Sequence, residues 1–140
     1  MTQQAKQTVA TVVPTFRYRD APAAIDWLCN AFGFQRRMIV PGEDGTIVHS
    51  QLQFGNGLIM VSSARGAELD ALAVPRGERM AAHTQGAYVI VNDPDAHHDH
   101  AVAAGAEVVM PLKTEDHGRG YSCADPEGYL WHFGDYDPWA

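Results

Sequence analysis

The turn-forming residues of this chain recur at a nearly constant distance, and this recurrence constrains the fold more than any other feature. Three matched pairs lie 72, 70 and 71 residues apart, and they are Pro22 with Pro94, Pro41 with Pro111, and Gly57 with Gly128. A fixed period of this kind indicates a duplicated structural unit. We therefore interpret the 140 residues as two copies of one module.

The first copy has the pattern β-α-β-β-β. Apolar residues from Ile25 to Phe32 recur at spacings of three and four, which predicts a helix that begins after Asp20 and ends at Gly33. Segments rich in β-branched and aromatic residues surround it and predict strands. The predicted elements are a strand at Val9–Tyr18, a helix at Pro22–Phe32, and strands at Phe34–Val40, Ile47–Phe54 and Leu58–Ser62.

The second copy repeats this pattern after a segment without periodicity. Its predicted elements are a strand at Gly86–Val91, a helix from Pro94 to Ala104, and strands at Glu107–Leu112, Tyr121–Cys123 and Tyr129–Gly134. The chain is thus predicted to be one α+β domain spanning 1–140. Module 1 covers about 8–63, the connecting segment about 64–85, and module 2 about 86–136.

Charge and composition narrow the choice of partner and compartment. The net charge is −7 and no Lys/Arg run is present, which argues against binding to nucleic acid or to an anionic membrane surface. No membrane-length apolar run or secretory signal is visible, and the two cysteines are too few for a disulfide framework. We expect a cytoplasmic protein with a small molecule or a protein as its partner.

Three segments carry recognisable motifs. They are Arg17–Leu28 followed by Phe32-Gly33-Phe34, then Ala103–Val108, and then the hairpin Asp125–Gly134 with the sequence DPEGYLWHFG. In this order they resemble the vicinal oxygen chelate superfamily, which includes glyoxalase I, extradiol dioxygenases, and fosfomycin and bleomycin resistance proteins. The resemblance implies two βαβββ modules that form an open, cup-shaped mixed sheet with helices on the outer face. It also implies a ligand in the concave face and a homodimer.

Metal-dependent members of that superfamily place His, Gln or Glu ligands on the first and last strands of each module. The equivalent places here fall near Val13, Met60, Gly86 and His132. Only His132 suits a hard divalent metal, and a shift of one residue brings in Pro14, Gln85 and Val61. This favours the metal-free, bleomycin-resistance-like branch without a cofactor. The alternative is a metal-dependent lyase, isomerase or dioxygenase with a divalent metal on His49, Gln85 and His132, so whether the protein is an enzyme stays open.

Strand alternation predicts the ligand-binding residues of the cup, because residues two apart share a face. The predicted set is Thr15, Arg17, His49, Gln51, Met60, Ser62 and His132, with Arg119 and Tyr121 on a glycine-containing flap. Arg17 suits a carboxylate or phosphonate, and the histidines suit hydrogen bonding or proton transfer. In the alternative interpretation Arg17 forms salt bridges at the rim, His49 faces water, and the glycines only make a turn.

Two further clusters have no assigned role. His97 and His100 share a face of the second helix, which suggests a metal site, although a polar stripe facing water explains them better; His98 is expected to lean on the sheet. Tyr136 and Trp139 lie in a polar C-terminal tail. We expect this tail to dock on a partner subunit, to cover the cup, or to pack back on its own domain.

Overall fold

The computed structural model describes residues 4–75, 77–78 and 85–140. Module 1 contains β1 (Thr15–Tyr18), α1 (Ala21–Phe32), β2 (Gln35–Pro41), β3 (Ile47–Phe54) and β4 (Gly57–Ser63). A short helix α2 (Ala67–Leu72) follows. Module 2 contains β5 (Ala87–Ile90), α3 (Pro94–Ala103), β6 (Glu107–Glu115), β7 (Gly118–Ala124) and β8 (Leu130–Gly134).

The strands form two four-stranded mixed sheets. Sheet 1 has the order β1-β4-β3-β2, and sheet 2 has the matching order β5-β8-β7-β6. In each sheet the first strand pairs in parallel with the last, and the other neighbours are antiparallel. The predicted α+β class with two βαβββ modules is confirmed. The sheets stay separate and are not closed into a barrel.

The same cap begins the helix of each module. The Asp20 carboxylate accepts a hydrogen bond from the Ala23 N–H at 3.1 Å, and the Asp93 carboxylate accepts one from the Ala96 N–H at 3.1 Å. A proline in the first turn follows both caps, where its missing N–H costs nothing. Local sequence alone therefore explains where the two helices begin.

The helix-facing sides of both sheets share one core. Helix α1 packs on sheet 1, α3 packs on sheet 2, and the two helices contact each other. The Phe16 ring of β1 stacks on the Trp131 ring of β8, with centroids 4.9 Å apart. Trp131 of module 2 is fully buried, and its packing on Phe16 of module 1 joins the two modules.

A buried carboxylate fastens the β7–β8 turn to module 1. Asp125 accepts hydrogen bonds from the Tyr18 hydroxyl at 2.6 Å and from the Trp131 indole at 3.0 Å. It also accepts the N–H groups of Glu127 and Tyr129. These donors satisfy a carboxylate that has no solvent exposure, which explains why the Asp-Pro-Glu-Gly turn docks there.

The structure corrects the predicted start of the first strand and adds a helix. The first strand begins at Thr15 instead of Val9, and Val9 and Val12 are largely exposed. The connecting segment includes α2, whose Leu72 is buried and accepts a hydrogen bond from the Arg19 guanidinium at 2.9 Å. Residues 76 and 79–84 of that predicted segment lie outside the described residues.

Candidate functional site

Each sheet has an open face opposite to its helix. On sheet 1 the register places Thr15 beside Met60, Arg17 beside Ser62, and Gln51 beside Met60. Their neighbours along the strands, such as Phe16 and Leu52, are buried on the helix side. The open face of sheet 1 therefore carries Thr15, Arg17, His49, Gln51, Met60 and Ser62.

Several of these polar side chains already have protein partners. The Gln51 amide nitrogen lies 3.1 Å from His49 Nε2, and Arg17 Nε lies 3.3 Å from a Glu68 carboxylate oxygen of α2. Both members of the ion pair are nearly half exposed, so water screens the attraction between them. Arg17 thus carries the rim salt bridge of the alternative interpretation, and it still reaches solvent.

The open face of sheet 2 forms a cavity of about 480 Å³. One row of register partners crosses the strands there and consists of Tyr88, His132, Ser122 and Met110. Val109, Pro111 and Tyr136 add apolar and aromatic surface to the wall. The cavity includes His132 and none of the six residues on the open face of sheet 1. One chain therefore divides the predicted site between two places.

His132 lies in a restrained position within this cavity. Its Nδ1 is 2.5 Å from the Ser122 hydroxyl, and burial lowers the pKa of its imidazole. A side chain at Gly86 would bring its Cβ within 3.0 Å of His132 Nε2. The glycine at a predicted metal-ligand position is therefore adjacent to the His132 ring.

Ser122 was not among the residues predicted for the site. Ser122 is buried on β7 and is the register partner of His132 on β8. The turn Asp125–Gly128 sets that register, so pairing the two strands outward from the turn would have placed Ser122 opposite His132.

The residues predicted to form a flap belong mostly to a strand. Strand β7 begins at Gly118, so the flap expectation is wrong for Arg119 and Tyr121. The Arg119 guanidinium forms a two-point contact with the Asp95 carboxylate at 2.8 and 2.9 Å. The Tyr121 side chain is buried on the helix side, where its hydroxyl lies 2.7 Å from His97 Nδ1, and burial raises the pKa of its phenol. Both residues border the cavity, but these contacts occupy their polar groups.

The histidines of α3 bind the end of α1. His97 Nε2 lies 2.9 Å from the Phe32 carbonyl oxygen, and His100 Nε2 lies 2.7 Å from the Asn30 carbonyl oxygen. The last carbonyls of a helix lack partners within the helix, so imidazole N–H groups stabilise them. The His98 ring packs edge-on against Tyr121 at 5.0 Å, and His97 packs closer to the sheet, 4.2 Å from the Phe133 ring. These contacts give the cluster a structural role.

The alternative metal ligands are not brought to one cavity. Gln85 lines a second cavity with Gly86 and Tyr129, which does not include His132. Within the described ranges, no group of three or more His, Cys, Asp or Glu residues is arranged to hold a metal ion. The cofactor is therefore unresolved.

Burial raises the pKa of the Cys123 thiol to about 12, so this thiol stays protonated.

The C-terminal tail borders the sheet-2 cavity. The Tyr88 hydroxyl donates to the Tyr136 carbonyl oxygen at 2.8 Å, and the Tyr136 ring packs edge-on against His117. Trp139 is 91% exposed, so this ring does not pack back on its own domain.

No helix among the described residues has the length and apolar character needed to cross a bilayer.

The fold and its motifs match those of a known family. Residues 9–133 match the family model described as the Glyoxalase/Bleomycin resistance protein/Dioxygenase superfamily. The chain belongs to this superfamily. A curated relative, the uncharacterized protein Mb0911c of Mycobacterium bovis, is 31% identical over 121 residues, which are 82% of this chain and 76% of that protein.

Solved structures share the fold. TioX from Micromonospora sp. ML1 is 31% identical with a TM-score of 0.69, covering 89% of this chain and 97% of that one. The bleomycin-binding protein of Streptomyces verticillus, complexed with copper(II)-bleomycin, is 21% identical with a TM-score of 0.57, covering 87% and 92%. The fosfomycin resistance protein FosX of Listeria monocytogenes, in a mutant form complexed with Mn(II), is 13% identical with a TM-score of 0.63, covering 90% and 89%. The superfamily fold is thus found both with a metal-bound drug and with a metal ion, and by itself it does not decide the cofactor.

Proposed function

We propose that this superfamily member binds a small organic molecule on the open faces of its sheets and needs no catalytic metal to do so. The observation that carries the proposal is the cavity on the open face of sheet 2. Its volume of about 480 Å³ lies in the range of small-molecule sites, which combine apolar walls with a few polar groups. Tyr88, Met110 and Tyr136 supply the walls, and His132 supplies a polar group.

We further propose that two copies of the chain complete the site. The polar face with Arg17, His49 and Gln51 belongs to sheet 1, whereas the cavity with His132 belongs to sheet 2. The outer strands β2 and β6 expose apolar side chains that a second copy would cover. These exposed side chains include Met38, Ile39 and Val40 on β2 and Val108, Val109 and Met110 on β6.

Sedimentation velocity tests the dimer directly. We expect a dimer for the unmodified chain and a monomer for Met38→Glu and Met110→Glu, because a charge in an apolar interface lacks a partner. Val102→Glu is the matched control, since Val102 is 42% exposed and belongs to α3 instead of to an outer strand. A monomer at all concentrations for the unmodified chain contradicts the shared site.

Ligand binding is tested by thermal shift and calorimetry. The probes are bleomycin with and without copper(II), together with a panel of aromatic carboxylates and phosphonates. For a binding probe, we expect Arg17→Ala and His132→Ala each to weaken affinity by about tenfold or more, because each removes a polar contact. Arg65→Ala, at an exposed position that does not line the cavity, is the control for general loss of charge. Unchanged affinity in both site variants contradicts the proposed site.

Metal content distinguishes the metal-free proposal from the alternative. Mass spectrometry of untagged protein is expected to find less than stoichiometric transition metal per chain. One equivalent of metal that disappears in His132→Ala would overturn the proposal.

Cys29 and Cys123 are both unpaired, which supports the proposed location in a reducing cytoplasm.

A further inference from the structure

The short contact between Ser122 and His132 defines the chemical state of the cavity imidazole. Ser122 Oγ lies 2.5 Å from His132 Nδ1, and Ser122 is 6% exposed. Both side chains lie on the open face of sheet 2 and line the cavity. A neutral imidazole has one donating and one accepting nitrogen, so this contact selects between two tautomers.

The available hydrogen-bond partners determine which group donates in the contact between Ser122 and His132. Across residues 4–75, 77–78 and 85–140, the Ser122 hydroxyl has no side-chain hydrogen bond besides the one to His132. If Nδ1 carried the proton and donated to Oγ, the hydroxyl hydrogen would lack a protein acceptor among the described residues, which is unfavourable for a group that is almost fully buried. If the hydroxyl donates to Nδ1 instead, the hydroxyl is satisfied, and the Nε2–H of the partly buried imidazole stays available to a group in the cavity. The second arrangement places the imidazole proton on Nε2.

We infer that Ser122 is a positioning residue that holds His132 as a neutral imidazole with its proton on Nε2. Burial also lowers the pKa of His132, which favours the neutral ring. In the described part of the chain, no protein group forms a hydrogen bond with Nε2. Gly86 leaves room for the ring in this position, because a Cβ on residue 86 would lie 3.0 Å from Nε2.

The position of the imidazole proton determines which kind of ligand group His132 binds. Here the inference rests on the proposed function. An Nε2–H group is a hydrogen-bond donor, so it pairs with an accepting oxygen or nitrogen of the bound molecule. The same nitrogen lacks the lone pair that a metal ion or a transferred proton requires. His132 therefore recognises an acceptor, such as a carbonyl or carboxylate oxygen.

Nitrogen NMR of the uniformly labelled, ligand-free protein tests the inference without any ligand. The imidazole resonances of His132 are assigned through correlations to its backbone. We expect Nε2 to appear as the protonated nitrogen and Nδ1 far downfield as the unprotonated one. In Ser122→Ala we expect a mixture of tautomers, and in Ser122→Thr, which keeps the hydroxyl, the original spectrum.

Ser50→Ala is the matched control for loss of a buried serine. Ser50 is fully buried, and its hydroxyl donates to the Val61 carbonyl oxygen at 2.5 Å on the helix side of sheet 1. It should destabilise the fold and leave the His132 resonances unchanged. Protonated Nδ1 in the unmodified protein, or an unchanged tautomer in Ser122→Ala, overturns the inference. Failure of every ligand probe alongside the expected spectrum contradicts the proposed function and leaves the positioning role intact.

Discussion

The two modules share one folding pattern and hold their helices by different forces. Helix α1 buries six residues, including Ile25, Leu28 and Phe32, whereas α3 buries only Pro94 and Ala101. Helix α3 is held instead by polar contacts: His97 and His100 bind the end of α1, and Asp95 pairs with Arg119. A duplicated pattern of strands and caps therefore tolerates very different helix surfaces, provided that each helix finds partners.

The open faces of the two sheets also differ. Sheet 2 carries the defined cavity and the Ser122–His132 pair, and sheet 1 carries a polar face with an ion pair to α2. In the proposed function the two open faces are complementary parts of one site, which duplication followed by divergence would produce. Substitutions in each module can show how independent the halves are.

The largest effect is expected from removing the Asp125 carboxylate, which joins the β7–β8 turn to module 1. Asp125→Ala removes the acceptor of the Tyr18 hydroxyl, the Trp131 indole and two backbone N–H groups. Leaving several buried donors unsatisfied should lower the free energy of unfolding by about 3–5 kcal/mol. Asp125→Asn keeps an acceptor and should cost less. Urea denaturation measures both, and equal losses would show that the acceptor is not what matters.

The next test compares the packing of the two helices. Leu28→Ala should cost about 2–5 kcal/mol, because Leu28 is 1% exposed in the core of module 1. Val102→Ala on α3 should cost less than about 0.5 kcal/mol, since its side chain is 42% exposed. Similar losses in urea denaturation would contradict the contrast between an apolar and a polar helix.

The helix caps should behave alike in both modules. Asp20→Ala and Asp93→Ala each remove one side-chain acceptor of an N–H group, at 3.1 Å in both cases. Each should lower the free energy of unfolding by about 1 kcal/mol, as measured by urea denaturation. Replacement of either residue by Asn should have little effect. A large difference between the two caps would show that tertiary contacts outweigh local capping.

The smallest expected effect is a change in pH dependence. Burial lowers the pKa of His97 below its ordinary 6.5, so below that pH the unfolded chain binds more protons than the folded chain. Stability should therefore fall as the pH falls below about 6.5. His97→Gln should make this fall shallower. His132, whose pKa is also lowered by burial, should contribute to the pH dependence that remains.

Urea denaturation at about pH 7.5 and about pH 5.5 compares His97→Gln with the unmodified chain. An identical pH dependence in both would show that His97 is not a titrating element of the helix contact.

Much of the fold was predictable because its signals are local. The caps at Asp20 and Asp93, the αL glycine Gly33 and the spacing of apolar residues in α1 act within a few residues. Alternation along β3 and β4 likewise gave the shared face of Gln51 and Met60, because side chains alternate whatever the partner strand is.

The site was less predictable because its contacts join distant parts of the chain. The predicted strand at 9–14 failed because Val9 and Val12 find no partner strand among the described residues, and β propensity does not form a strand without one. The spacing of the histidine cluster favours a polar stripe facing water over a metal site, because spacing cannot show that the end of α1 takes up His97 and His100.

The amino-acid sequence by itself determined the repeat, the helix bounds and the alternation of faces, since these follow from short-range backbone and side-chain geometry. Only the tertiary structure decided that His132 meets Ser122, that Arg119 is occupied by Asp95, and that the two open faces are separate. Those outcomes depend on strand register and on the packing of two modules against each other. Such long-range contacts leave no periodic trace along the chain.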